Sequence, residues 1–281
     1  MALRRGAGAL CCAAVLLLSG CGNPVLGDAA PQAPPYQGPL FVEVTAPPTD
    51  ERADRSGAAG LAVDCDAPAV GDSRMGTYDG GSVSRTAARA LSAGVGEAYR
   101  GSTKFRRARV ETDRVLYTYE VERQIRQAYI VHRGRAVDGH IGWYVESWAR
   151  CDWAELPPEL AEGIGLQIWS DATRRRVPTS ELVSGSGPEH CNWQSMTFLN
   201  VRGGSLEHGQ TYVANPMSDY YPEYFEVPYA KDARLPSTAH DTGYALDGRR
   251  LWIAADRSRA YVGSEQSVEV WPATTQPLGC A

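Results

Sequence analysis

Few side chains in this sequence have the types and spacing that chemistry requires. His132, His140, His190, His208 and His240 are scattered, and no two share a helix face. Acyl transfer by a serine needs an elbow such as Gly-x-Ser-x-Gly or a Ser-x-x-Lys pair, and zinc hydrolysis needs a His-Glu-x-x-His helix; neither signature occurs. His240-Asp241 and Asp138-Gly139-His140 read as loop residues rather than halves of a dyad. Asp64-Cys65-Asp66 lacks the further oxygens of a calcium loop and reads as a turn presenting a disulfide. Gly80-Gly81 and Gly203-Gly204 lack the lysine of a phosphate loop. No catalytic residue, metal or cofactor is therefore assigned. The alternative is an exported, hydrolase-like enzyme whose site assembles only in three dimensions, marked by a pocket that holds one of the five histidines within reach of both an acid and a hydroxyl. The most suggestive segment runs from Asp219 to Tyr229, where Tyr220, Tyr221, Glu223 and Tyr224 mix aromatic faces with a carboxylate. Such a mixture suits a sugar ring or a cation, and it equally suits a loop covering a β core.

Cysteine is the other reactive type. Cys65, Cys151, Cys191 and Cys280 form an even set in the body of the chain, which in an exported protein points to two disulfides. Sequential pairing, Cys65 with Cys151 and Cys191 with Cys280, gives each half its own staple. None of these cysteines has the close spacing of a zinc site.

The first residues explain why export is expected. Arg4-Arg5 precede the apolar run Gly6 to Leu18, too short to span a bilayer, and Pro24, Asp28 and Pro31 prevent its extension. Leu18-Ser19-Gly20-Cys21 resembles the lipobox of bacterial lipoproteins: small residues admit the chain to a narrow peptidase site, and the Cys21 thiol takes the lipid. The resemblance implies a signal peptide over 1–20, cleavage before Cys21, and palmitate-type acyl chains holding the protein to the outer face of the cell membrane. Export by the general or the twin-arginine route is left open.

The net charge of −5 disfavours nucleic acid, whose binding needs a basic footprint. The one dense basic run beyond Arg106-Arg107, Arg174 to Arg176, reads as a solvated hairpin tip.

Elements follow from periodicity. Residues 21–57, rich in Pro, Ala and Gly, read as a flexible tether, within which the run Leu40 to Val44 could be captured as an edge strand. In a 58–160 unit, Val83, Ala87, Leu91 and Val95 recur every four residues and predict a helix from Ser82 to about Arg100. Alternation then predicts strands over Phe105–Val110, Val115–Val121, Ile125–His132 and Ile141–Trp148. The 161–281 unit reads as all-β, with Asp247-Gly248 as a hairpin turn. The expected class is α+β: one helix on an antiparallel meander, followed by a mostly antiparallel β domain.

Here a second resemblance arises. His190-Cys191-Asn192-Trp193, Asp241-Thr242-Gly243-Tyr244, Leu251-Trp252 and Val268-Glu269-Val270-Trp271-Pro272 are similar to segments of uncharacterised secreted or lipid-anchored actinobacterial proteins. That likeness implies place and fold and carries no activity. The expected role is a non-enzymatic binding module of the envelope, anchored in the membrane and contacting a protein or glycan there.

Overall fold

The computed structural model describes residues 33–44, 55–73, 83–95, 104–136, 139–202, 209–220 and 223–278. Antiparallel β sheet dominates and helices are few and short, so a mostly-β description fits better than α+β. The first sheet has strands β1 (Val70–Asp72), β2 (Arg106–Val110), β3 (Arg114–Val121), β4 (Gln124–Arg135) and β5 (Ile141–Arg150), in the order β1-β5-β4-β3-β2. The alternation read from the sequence is the reason: odd residues of β3 and β4, such as Val115, Tyr117, Tyr129 and Val131, face one side. Even residues, such as Leu116, Ala128 and Ile130, face the other.

Both faces are covered, which corrects the expectation of a single helix. Helix α2 (Ala87–Gly94) packs Ala90 and Leu91 on the odd face. A helix the sequence reading missed, α1 (Gly57–Ala62), packs Ala58, Ala59 and Ala62 on the even face. The predicted helix is also shorter than its apolar spacing suggested. The Thr86 hydroxyl accepts the Arg89 amide at 3.3 Å and starts the helix there. Val83 and Ser84 are instead extended, with Ser84 bridged to Trp143 through backbone bonds of 2.7 and 2.9 Å. Gly142 permits that approach, because a Cβ there would lie 2.7 Å from the Val83 side chain. Ser82 and residues 96–100 lie outside the described residues.

Part of the stretch read as tether is not free of the body. Residues 33–44 run across the even face, burying Ala33 and Leu40 among Leu116, Ile125 and Ile130. The Ala33 amide donates to Glu120 Oε2 at 2.8 Å, and Arg109 Nη1 donates to the Gly38 carbonyl at 2.5 Å. Alanine and proline are poor signals of burial, so composition alone misread this arm.

After helix α3 (Pro158–Glu162), two further sheets face each other. One comprises β6 (Leu166–Gln167), β7 (Leu182–Ser186), β8 (Thr197–Val201) and β9 (Gln210–Ala214), in sequence order. The other comprises β10 (Ala230–Ala233), β11 (His240–Leu246), β12 (Arg249–Ile253), β13 (Arg259–Gly263) and β14 (Val268–Pro272), in the order β10-β14-β13-β12-β11. Trp169, Leu182, Leu199, Tyr212, Leu251 and Trp271 fill the space between them. Asp247 and Gly248, at φ 48° and 80°, make the tight turn that their pairing announces, with Leu246 opposite Arg249.

Cys65 and Cys151 are bonded, as sequential pairing required. Cys191 is disulfide-bonded as well, while its expected partner Cys280 and the lipidation residue Cys21 lie outside the described residues.

Candidate functional site

The chain leaves the first sheet at Cys151 and enters the sandwich through Asp152. Asp152 is buried, and its two oxygens accept from Ala154 N at 2.8 Å, Thr179 N at 2.8 Å, Thr179 Oγ1 at 2.7 Å and Ser180 N at 3.3 Å. One carboxylate thus clasps the loop before β7 to the end of the first sheet. Beside this clasp a cleft of about 1100 Å³ opens between the first sheet and the sandwich. Junctions of this kind are where ligand sites concentrate.

Three groups of charge line the cleft. On the first-sheet side, the buried Arg126 pairs with Glu155, bonds the Asp64 carbonyl, and reaches Asp66 at 2.9 Å and Gln124 at 2.6 Å. Glu155 in turn accepts the amides of Asp66 and Ala67, both at 2.8 Å. The disulfide holds this turn in place. Glu155 also approaches the two sulfurs, but sulfurs bonded to each other offer no thiolate, so the trio is no metal centre.

On the sandwich side, Asp171 forms a tight turn with Thr173 and Arg175, whose donors hold its carboxyl down to about 2. The Tyr244 hydroxyl donates to Glu181, and burial together with that bond pushes its phenol up to about 12. At neutral pH Tyr244 is therefore a donor already committed.

The third group is Arg176. It turns inward while Arg174 and Arg175 stay exposed, so the run read as a hairpin tip is a tip at only two of its positions. Its Nη1 donates to the Leu156 carbonyl. No carboxylate of the described residues comes within 4.0 Å of its guanidinium. The nearest acid influences come from Asp152, Glu162 and Glu159, and burial lowers its affinity for the proton against them. Between the charges the surface is apolar, with Val121, Leu156, Pro157, Val177 and Pro178.

The sequence-predicted ligand segment behaves differently. Tyr220 accepts from Trp193 Nε1 at 2.8 Å, and its ring meets Trp193 and Tyr224 edge-on at 5.9 and 5.5 Å. Both tyrosines pack on the cluster of Trp193, Met196 and Phe225, so they cover β core. Glu223 is exposed beside them, and Tyr221 lies outside the described residues.

Of the histidines, His140, His190 and His240 are exposed, and His208 lies outside the described residues. His132 is held by acids and a hydroxyl together. Its Nδ1 is 3.0 Å from the Tyr144 hydroxyl and 3.1 Å from Glu146, and its Nε2 is 3.2 Å from Asp113. A bulge in β5 supplies the acid: Ile130 pairs with Ser147 and Val131 with Val145, so Glu146 is the extra residue. Sequence cannot announce such a bulge, which is why this cluster was not read. Arg114 closes it, bonding Glu146 at 2.8 and 2.9 Å and Asp113 at 2.9 Å, and its guanidinium lies 4.9 Å over the Phe41 ring of the arm. Each imidazole nitrogen thus faces a group of the cluster itself. No family model, curated protein or solved structure matches this chain.

Proposed function

We propose that this chain is an extracytoplasmic binding protein of the cell envelope, anchored through lipid on Cys21, with its ligand taken in the cleft between the first sheet and the sandwich. The observation that carries the binding reading is a wide cleft walled by a half-buried arginine that no carboxylate of the described residues approaches within 4.0 Å. One further feature supports the address. The cysteines at 65, 151 and 191 are oxidised, as an exported chain would have them. The finer architectural reading, a helix-and-sheet unit followed by an all-β unit, belongs with this proposal as the pair of bodies that flank the cleft.

Anchoring and binding are tested separately. Cys21→Ser should leave the precursor uncleaved or move the protein out of the membrane pellet. A variant still processed and sedimenting like the wild type removes the anchor. A photo-crosslinking residue at Glu122, on the cleft, should capture an envelope component in intact cells that the same group at Lys231, on β10, does not. Equal capture at both positions would remove the cleft.

The His132 cluster favours one second reading, an exported hydrolase using that imidazole as its base. Because the cluster's donors and acceptors are spent on one another, we expect p-nitrophenyl acetate to be turned over equally by the wild type and His132→Gln. A clear loss of turnover in the variant would select the enzyme instead.

A further inference from the structure

Resting on that cleft reading, the structure can say what kind of molecule the cleft takes. Arg176 is a charge that the fold has partly removed from water, with Asp152, Glu162 and Glu159 acting on it from a distance and no carboxylate of the described residues within 4.0 Å of its guanidinium. Desolvating a guanidinium is costly unless an anion completes its donor fork, and the planar fork matches a carboxylate. The acid in best position to serve is Asp152, but its two oxygens are already occupied by the amides and hydroxyl of residues 154, 179 and 180. What its donor fork lacks among the described residues is a directly bonded carboxylate, and a ligand carboxylate would supply one.

The rest of the cleft limits what else that ligand carries. Arg126 is spent on Glu155 and Asp66, and Arg175 on Asp171 at 3.1 Å. Glu122 and Glu181 remain on the walls as further acids. A phosphate or a polyanion would meet more negative than positive charge here, and like-charge approach is unfavourable. A molecule with a single carboxylate, and a cation some distance from it, meets complementary charge at both ends. The Leu156, Pro157, Val177 and Pro178 surface between suits small aliphatic side chains.

We propose that the cleft binds a short zwitterionic peptide, with its terminal carboxylate on Arg176 and its ammonium end among the cleft carboxylates. Arg174, two residues away and exposed, serves as the internal control.

The test is calorimetric titration of the full-length protein in detergent micelles with trialanine, with trialaninamide, with sodium acetate and with inorganic phosphate. Trialanine should bind at least tenfold more tightly than the amide. Arg176→Gln should reduce trialanine to the affinity of the amide and leave the amide unchanged, while Arg174→Gln changes neither. Arg176→Lys keeps the charge without the fork and should fall between, and unchanged near-ultraviolet dichroism of each variant establishes that it has folded. Equal binding of acid and amide, no binding of trialanine, or an unaltered affinity in Arg176→Gln would overturn the assignment. So would displacement of trialanine by acetate or phosphate at equal concentration, which would mark a small-anion site. The Glu122 crosslink is independent of these titrations: if it persists while trialanine fails, the ligand class is wrong and the cleft stands.

Discussion

Replacing Asp152 by alanine is expected to destabilise the protein by about 3 kcal/mol, read as a fall in the urea midpoint at constant slope. The carboxylate accepts from four donors, three of them backbone amides. Hydrogen bonds to a charged acceptor contribute about 1.5–3 kcal/mol each, and donors orphaned in a buried place add their desolvation cost. The sum falls well short of four full bonds, because Ser180 is exposed and water can reach its amide. Asp152→Asn keeps the shape but turns one acceptor into a donor against the Thr179 or Ser180 side, so it should recover less than half of the loss. The comparison is Asp171→Ala, whose exposed turn makes similar bonds with little burial and should shift the midpoint far less. If Asp152→Ala and Asp171→Ala cost the same, the clasp carries no special share of the stability.

The second large effect belongs to the Cys65–Cys151 bond. Its sequence separation of 86 residues encloses α2 and all five strands of the first sheet, while α1 lies before it. A loop of that length withdraws conformational freedom from the unfolded chain worth about 4–5 kcal/mol in the chain-entropy account. Cys151 is fully buried, and Cys65 presents the Asp64–Ala67 turn that Glu155 and Arg126 grip. The Cys65→Ala, Cys151→Ala double variant should thus lose about that much, and dithiothreitol should shift the wild type in the same direction. A double variant within about 1 kcal/mol of the wild type would show that the turn is held by its hydrogen bonds alone.

What could be read from the residues depended on whether the signal was local. Alternation located β2 through β5 to within a few residues, and Asp247-Gly248 located the β11–β12 hairpin, because a strand's faces and a tight turn are written in neighbouring side chains. Strands such as β7 (Leu-Val-Ser-Gly-Ser) and β10 (Ala-Lys-Asp-Ala) were not legible, since small and charged residues carry no alternation. The helix at 87–94 was found but overextended, because Val83 has helical spacing while its neighbour Ser84 bonds to Trp143. The cleft escaped notice for a related reason. Its residues come from positions 66, 126, 155, 176 and 244, which only the folded chain brings together. Arg176 had a misleading local context, a run of three arginines in which the last alone turns inward.

Under the proposed anchoring at Cys21, the arm across the even face would set the length of the leash. Were residues 21–57 all free, an anchor at Cys21 would let the body drift about 120 Å from the bilayer, at roughly 3.4 Å for each extended residue. Under the proposed anchoring, at most 12 residues separate Cys21 from Ala33, which is fastened to Glu120, an upper reach of about 40 Å. A body so held would sample only what lies close to the lipid headgroups, and an upward pull on it would fall first on the bond to Glu120 and the buried side chain of Leu40.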